Sequence, residues 1–240
     1  MKYEQSIKSI EKLILESIKN DRDRFLYEYF KGEYKRHIRE LDFLKNARNG
    51  KILEIGADPY HFTGLCKLEG IDIISLDIHP DYENHIVKTL GLKVIACNIE
   101  TEKMPFEEGT FDVIMFNEVF EHLRINPIAT LKEINRVLKP GGILYLTTPN
   151  MYMIRNIYRF VRGWGLDDPY YEFNKLNEVG YMGHVREYAR WQIVKFLSNT
   201  GFEVEKIMYH NYDTRRYLRL VYALIPCVRT NICVISRKKK

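Results

Sequence analysis

The 240-residue sequence predicts an α/β fold: a mostly parallel sheet flanked by helices and preceded by an N-terminal helical cap. Three observations predict it. From residue 51 onward, strand-like and helix-like segments alternate, which implies parallel strands joined by right-handed crossovers. The run KILEIGADPY (Lys51–Tyr60) reads as a buried strand that breaks at Gly56 into a tight, ligand-facing turn. A second run, IDIISLDIH (Ile71–His79), places Asp77 at its end about 20 residues later, the spacing of a carboxylate that holds ribose hydroxyls.

The elements follow in order. Residues 4–46 read as two or three helices, because Ile7, Ile10, Leu13, Ile14 and Ile18 recur at helical spacing. Phe25, Leu26, Tyr29 and Phe30 continue that pattern, and Ile38, Leu41 and Leu44 complete it. Strands are expected near 51–55, 72–77, 93–97, 111–117 and 143–148, with helices near 62–69, 82–89 and 127–138. After Pro149 comes an aromatic-rich insertion (150–182), then a helix near 186–200 and a strand near 202–209. An apolar stretch at 215–226 and a last strand near 230–236 close the chain. The connections 149–185 and 210–229 far exceed the ~4–6 residues of ordinary loops, which marks them as functional covers.

Hydrophobic residues make up 45% of the chain, enough for one sizeable core, and the whole reads as a single domain. The cysteines (Cys66, Cys97, Cys227, Cys233) lack metal or redox spacing and read as buried thiols. No run approaches the ~18 apolar residues of a membrane span, and the Lys- and Glu-rich start lacks a signal-type apolar core, so a cytoplasmic location is expected. The net charge of +5 owes part of its excess to the Arg237–Lys240 tail, a solvated terminus.

Residues 51–150 resemble the core of class I S-adenosylmethionine-dependent methyltransferases. The strands just named carry the likeness, together with NIETEKMPFEEGTFDVIMFNEVFEHL (98–123), EINRVLKPGGILYLTTPN (133–150) and GHVREYARWQIVKFLSNTGFEVEKI (183–207). The resemblance implies a Rossmann-like, seven-stranded sheet with the last strand antiparallel, S-adenosylmethionine as cofactor and S-adenosylhomocysteine as product. It assigns Glu54 to the methionine end of the cofactor, and Gly56, Ala57 and Tyr60 to the turn beside it. Asp77 would take the ribose, Ile78 one adenine face, Asn98 and Ile99 the adenine edge, and the main chain at Asn117 the methionine ammonium. Glu118, Glu121 and His122 stand in a box that resembles the turn lining the transfer site. There His122 shapes the pocket, acts as a base or packs under a loop. His184 is the leading candidate base, with Arg186 available for a carboxylate or phosphate; alternatively, these residues simply open a helix. No metal site is expected. Asp58 and Tyr60 depart from the family's glycine-rich turn. Asp58 can take the left-handed backbone, whereas the Tyr60 ring would crowd the cofactor's tail or wall the substrate pocket.

An Asn/Asp-Pro-Pro-aromatic box is missing after strand four, which argues against nucleic-acid amine methylation. Neither a Gly-x-Gly-x-x-Gly fingerprint nor a Walker loop is found, which sets hydride transfer and nucleotide hydrolysis aside. Tyr152, Tyr158, Trp164, Tyr170, Tyr171 and Phe173 interleave with Arg155, Arg159 and Arg162, as a packed lid or as a surface that stacks on a sugar, ring or RNA base. Arg215, Arg216 and Arg219 flank an apolar stretch suited to covering the pocket, a homodimer contact, or an anionic membrane or lipid-linked substrate. The expected function is methyl transfer to a small molecule or to a glycan or lipid intermediate, with oxygen slightly favoured as acceptor. An RNA or protein methyltransferase is the alternative enzyme, and a binding protein that retains the fold without catalysis is the alternative class.

Overall fold

Two helices precede the sheet in the computed structural model, which describes residues 2–47, 50–166, 168–171, 173–174, 183–211 and 215–239. Helix α1 (Glu4–Ser17) buries Ile7, Ile10 and Ile14 on one face. Helix α2 (Asp21–Asn46) starts where the Asn20 side chain accepts a hydrogen bond from Asp23 N and runs unbroken for 26 residues. The apolar positions expected to mark a third helix thus lie on one long helix.

The alternating part comprises β1 (Ile52–Ile55), α3 (His61–Leu68), β2 (Ile73–Asp77), α4 (His85–Leu90), β3 (Val94–Ala96), β4 (Phe111–Asn117), α5 (Pro127–Val137) and β5 (Leu138–Pro149). Then come α6 (Ile154–Val161), α7 (Arg190–Asn199), β6 (Phe202–His210), α8 (Arg219–Leu224) and β7 (Asn231–Lys238). The strand order is β3-β2-β1-β4-β5-β7-β6, parallel through β5, with β7 antiparallel to both β5 and β6. The winding reverses between β1 and β4, and in such sheets ligands bind outside the strand ends at that point.

Side-chain alternation sorts the core into two layers. Leu53, Ile55, Ile114, Phe116, Leu144, Leu146, Ile232 and Val234 pack with α5 and α7. Ile52, Val113, Met115, Tyr145 and Cys233 face the side covered by α1–α4. Burial on both faces explains why β1 reads as an uninterrupted apolar run broken only by Glu54.

Some boundaries differ from expectation. β5 begins at Leu138, so the Lys-Pro-Gly-Gly segment lies inside the strand, opposite a register shift between Phe111 and Val113. Gly142 makes this possible: a Cβ there would stand 2.9 Å from Lys139 O. The helix expected from 186 begins at Arg190, because Tyr188 forms a bridge with Asn150. The stretch 215–226 is a 3-10 turn (Arg216–Leu218) followed by α8. Cys66, Cys97 and Cys233 are buried, whereas Cys227 is exposed rather than the buried thiol expected. Residues 175–182 of the insertion, 212–214 of the second connection and the side chain of Arg216 lie outside the described parts. Among the described residues no helix is long and apolar enough to cross a membrane.

Candidate active site

The chain leaves β1 through Gly56, whose φ of +73° suits glycine and whose N–H donates to Leu76 O at 2.8 Å. A Cβ at this position would lie 2.3 Å from Val119 Cγ2, so the absence of a side chain lets the turns after β1 and β4 meet. Asp77 ends β2 with its carboxylate held from two sides. Asp58 N donates to Oδ2 and His79 N to Oδ1, each at 3.1 Å. The side chain is only 8% exposed, and a carboxylate with two such partners keeps further lone pairs for other donors. Ile78 stands exposed beside it.

The departures at Asp58 and Tyr60 resolve differently from either expectation. The left-handed conformation falls on Gly56 and on Tyr60 (φ +67°), not on Asp58. The Tyr60 ring is fully buried in the layer beneath α1–α4, and its hydroxyl accepts from Asp81 N at 3.0 Å. Tyr60 N donates to Ala57 O, and Ala57 is itself buried. The ring therefore neither projects toward a ligand's tail nor lines an open pocket; it ties the first turn to the loop after β2.

Glu54 points into the same layer, where it accepts from Thr63 Oγ1, whose oxygen lies 2.7 Å from Ser75 Oγ. Burial pushes its carboxyl up to about 8. Asn98 Oδ1 accepts from Glu100 N at 3.0 Å, so the amide oxygen expected to meet an adenine amine closes a local turn instead. Ile99 is half-buried against the core, and its carbonyl accepts from Thr130 Oγ1 at 3.3 Å.

Beyond β4 the polar groups converge. Asn117 Oδ1 accepts from Thr147 Oγ1 at 3.3 Å, while its Nδ2 is buried with no hydrogen-bond partner among the described residues. Glu118 adopts φ +54° and accepts from Asn231 Nδ2 at 2.8 Å, which links this turn to β7. Glu121, 1% exposed, accepts from Thr148 Oγ1 at 2.9 Å. Burial, with the Glu118 charge behind it, pushes the Glu121 carboxyl up to about 8. The Glu121 carbonyl accepts from Val185 N and Arg186 N, and this brings the segment after the insertion to the β4 turn. His122 and His184 consequently meet edge to face, ring centroids 5.1 Å apart. Arg186 lies over the Tyr188 ring at 5.5 Å. None of these residues opens α7, which starts four residues beyond Arg186.

A profile of methyltransferase domains matches residues 25–207. The chain belongs to that methyltransferase family. A protein of Mycolicibacterium smegmatis described as a probable S-adenosylmethionine-dependent methyltransferase is 30% identical over 64% of this chain and 52% of its own length. A probable methyltransferase of Arabidopsis thaliana is 26% identical over 47% of the chain and 19% of its own length. The chain thus spans about half or less of these curated relatives. Among solved structures, an S-adenosylmethionine-dependent methyltransferase from Archaeoglobus fulgidus superposes with a TM-score of 0.59 at 19% identity, covering 88% of this chain and 99% of that one. A Burkholderia thailandensis 1,6-didemethyltoxoflavin N1-methyltransferase, solved with its substrate and S-adenosylhomocysteine, gives 0.61 at 13% identity over 92% and 84%. At these identities the structural likeness is one of fold.

Two features of this methyltransferase chain escaped the sequence reading. α2 carries a buried ionic face as well as an apolar one: Arg36 Nε lies 3.4 Å from Glu33 Oε2 and 3.5 Å from Glu40 Oε1, and His37 Nδ1 lies 3.1 Å from Glu40 Oε2. Arg36 also reaches Glu118, 3.9 Å away, so the helical cap touches the β4 turn. The polar residues at 33, 36, 37 and 40 have helical spacing, and that periodicity was the available signal. The second is a cavity of about 420 Å³ between the α1–α2 junction and the first turn, lined by Ile14, Asn20, Asp58, Pro59, His61 and Asp81 among others. Glu54, Gly56, Asp77, Asn98 and Asn117 do not line it, so it lies beside the crevice at the strand ends, not in it.

Proposed function

We propose that this chain transfers the methyl group of S-adenosylmethionine to a hydroxyl of a small molecule or of a glycan or lipid intermediate. One observation carries the reading: a buried carboxylate, Asp77, fixed by backbone N–H groups from two turns, stands beside a glycine whose Cβ would meet Val119. The residues present fit the cofactor on further grounds. Ile78 offers an exposed apolar platform next to the ribose site, and the buried Nδ2 of Asn117 has no hydrogen-bond partner among the described residues at the sheet's reversal. Asp77 would accept from the ribose hydroxyls, with Asn98 and Ile99 flanking the adenine edge. Glu54, buried beneath the turn and bonded to Thr63 Oγ1, would brace the turn against which the methionine end lies.

When bound, the cofactor supplies an electrophilic sulfonium methyl group, so the protein's part is to position the acceptor and exclude water. An oxygen lone pair bonds the methyl carbon as the carbon–sulfur pair withdraws onto sulfur, and the hydroxyl proton must leave. His122 and His184, whose rings meet edge to face, would be the groups to take that proton. Lipid or glycan acceptors are supported by the cover: Tyr158, Trp164, Tyr217, Leu220 and Leu224 are exposed, and Arg162 lies over Tyr158 and Trp164 at 4.7 and 5.5 Å. A cytoplasmic enzyme working at a membrane face is consistent with this surface. Calorimetry with S-adenosylmethionine tests the core of the proposal. Micromolar affinity that collapses in Asp77→Ala is expected, and no saturable binding to folded protein would defeat it.

A further inference from the structure

We propose that Glu121, His122 and His184 form a binding site for a divalent cation of the zinc or manganese type, situated where the acceptor hydroxyl docks. The three side chains come from two segments far apart in sequence, yet one potential ligand atom of each lies within 4.8 Å of the others. The donor set, two imidazoles and a carboxylate, suits such ions. A tetrahedral ion with bonds of about 2.1 Å spaces its ligands about 3.4 Å apart. Small rotations of the two half-exposed rings close the difference.

A second observation points to a ligand. Glu121 Oε1 is buried and has no hydrogen-bond partner among the described residues, while Oε2 is occupied by Thr148 Oγ1. The unoccupied oxygen faces the cluster, 3.9 Å from His122 Nε2, which is too long for a hydrogen bond and open to a bridging cation. The outer contact of His122 is of the kind that metal-binding histidines use. His122 Nδ1 lies 3.0 Å from Gly183 O; donation of its proton there leaves the Nε2 lone pair toward Glu121. His184 Nδ1 lies 3.8 Å from the buried Glu187 Oε1, beyond hydrogen-bond reach, and Glu187 is anchored through Oε2 by Asn156 Nδ2. The N–H groups of Val185 and Arg186, both bonded to Glu121 O, hold the two segments in register.

Three protein ligands leave at least one position open on the exposed side. Resting on the methyl-transfer reading, that position binds the acceptor hydroxyl. The cation lowers the hydroxyl's pKa, its proton passes to solvent water, and the oxygen pair attacks the methyl carbon as the carbon–sulfur pair goes to sulfur. The histidines then hold the ion rather than the proton, and the acceptor class is a hydroxyl, not an amine.

The test uses the full chain, stripped with a chelator and titrated with zinc chloride by calorimetry and with cobalt chloride by visible absorption. One ion per chain is expected, bound at micromolar Kd or tighter. His184→Ala, at a half-exposed position, should weaken it at least about 10-fold, as should Glu121→Gln, with folding checked by circular dichroism. Asp77→Ala should bind the ion like the wild type. No saturable binding to the folded wild type, or an unchanged Kd in both variants, overturns the site. S-adenosylmethionine titrated into the same samples separates the two proposals. Ion binding without cofactor binding defeats methyl transfer alone, and cofactor binding without ion binding defeats the cation site alone.

Discussion

Around Asp77, backbone N–H groups from two turns converge on one buried carboxylate, and Tyr60 is sealed beneath them. Along α6 and α8 the apolar side chains point outward instead: Val161 is 83% exposed and Leu224 72%. Both regions follow the carboxyl ends of strands: Asp77 ends β2, α6 follows β5 and α8 follows β6. In the first, the geometry is fixed by backbone hydrogen bonds, which suits a ligand that never changes. In the second, little constrains the side chains, which suits an acceptor that selection can alter.

Stability measurements can break that contrast. Phe116→Ala, in the fully buried layer under β4, should cost about 3–5 kcal/mol in denaturant unfolding. An effect below about 1 kcal/mol would show that the sheet is not the rigid partner. Asp77→Ala should weaken S-adenosylmethionine binding about 100-fold, since the proposed pair of ribose hydrogen bonds would be lost. Gly56→Ala should cost about 2 kcal/mol from its positive φ and the approach to Val119, and adding Val119→Ala should recover part of it. If the double variant is no better than the single, backbone strain alone accounts for the loss.

The pH dependence sharpens the same comparison. Glu54 titrates at about 8 in the folded chain against 4.5 ordinarily, because burial penalises its charge. Between those values the unfolded chain has released a proton that the folded chain keeps, so Glu54 makes stability fall as pH rises through that window and then level off. Glu54→Gln should therefore reduce the loss between pH 5 and pH 8 by on the order of 1–3 kcal/mol, read from urea unfolding at both values. The smallest effect belongs to the cover: Leu224→Ala should shift stability by no more than about 0.5 kcal/mol, and a larger change would reveal packing there.

Legibility in the sequence follows the same division. β1, β2 and β4 were readable because strands buried on both faces must be nearly continuous apolar runs, and Asp77 was readable because it ends one of them. Tyr60 was not, since its partner Asp81 lies on the next loop and only folding makes them neighbours. The ionic face of α2 was hidden behind its apolar periodicity. His122 and His184 were each singled out, but their meeting depends on two N–H groups bonding to one carbonyl, an arrangement no local pattern records. β5 began early because Gly142 admits a close approach that propensity alone does not anticipate.

β7 lies between β5 and β6 and, among the described residues, is the only strand that pairs with β6. During synthesis β6 is therefore complete before the strand it pairs with exists. Until residues 231–238 emerge, the outer edge of β5 and both edges of β6 present open backbone ladders, the state in which nascent chains find wrong partners. The last strand works as a keystone, and the interval before it arrives is when the growing sheet is most open to wrong pairing.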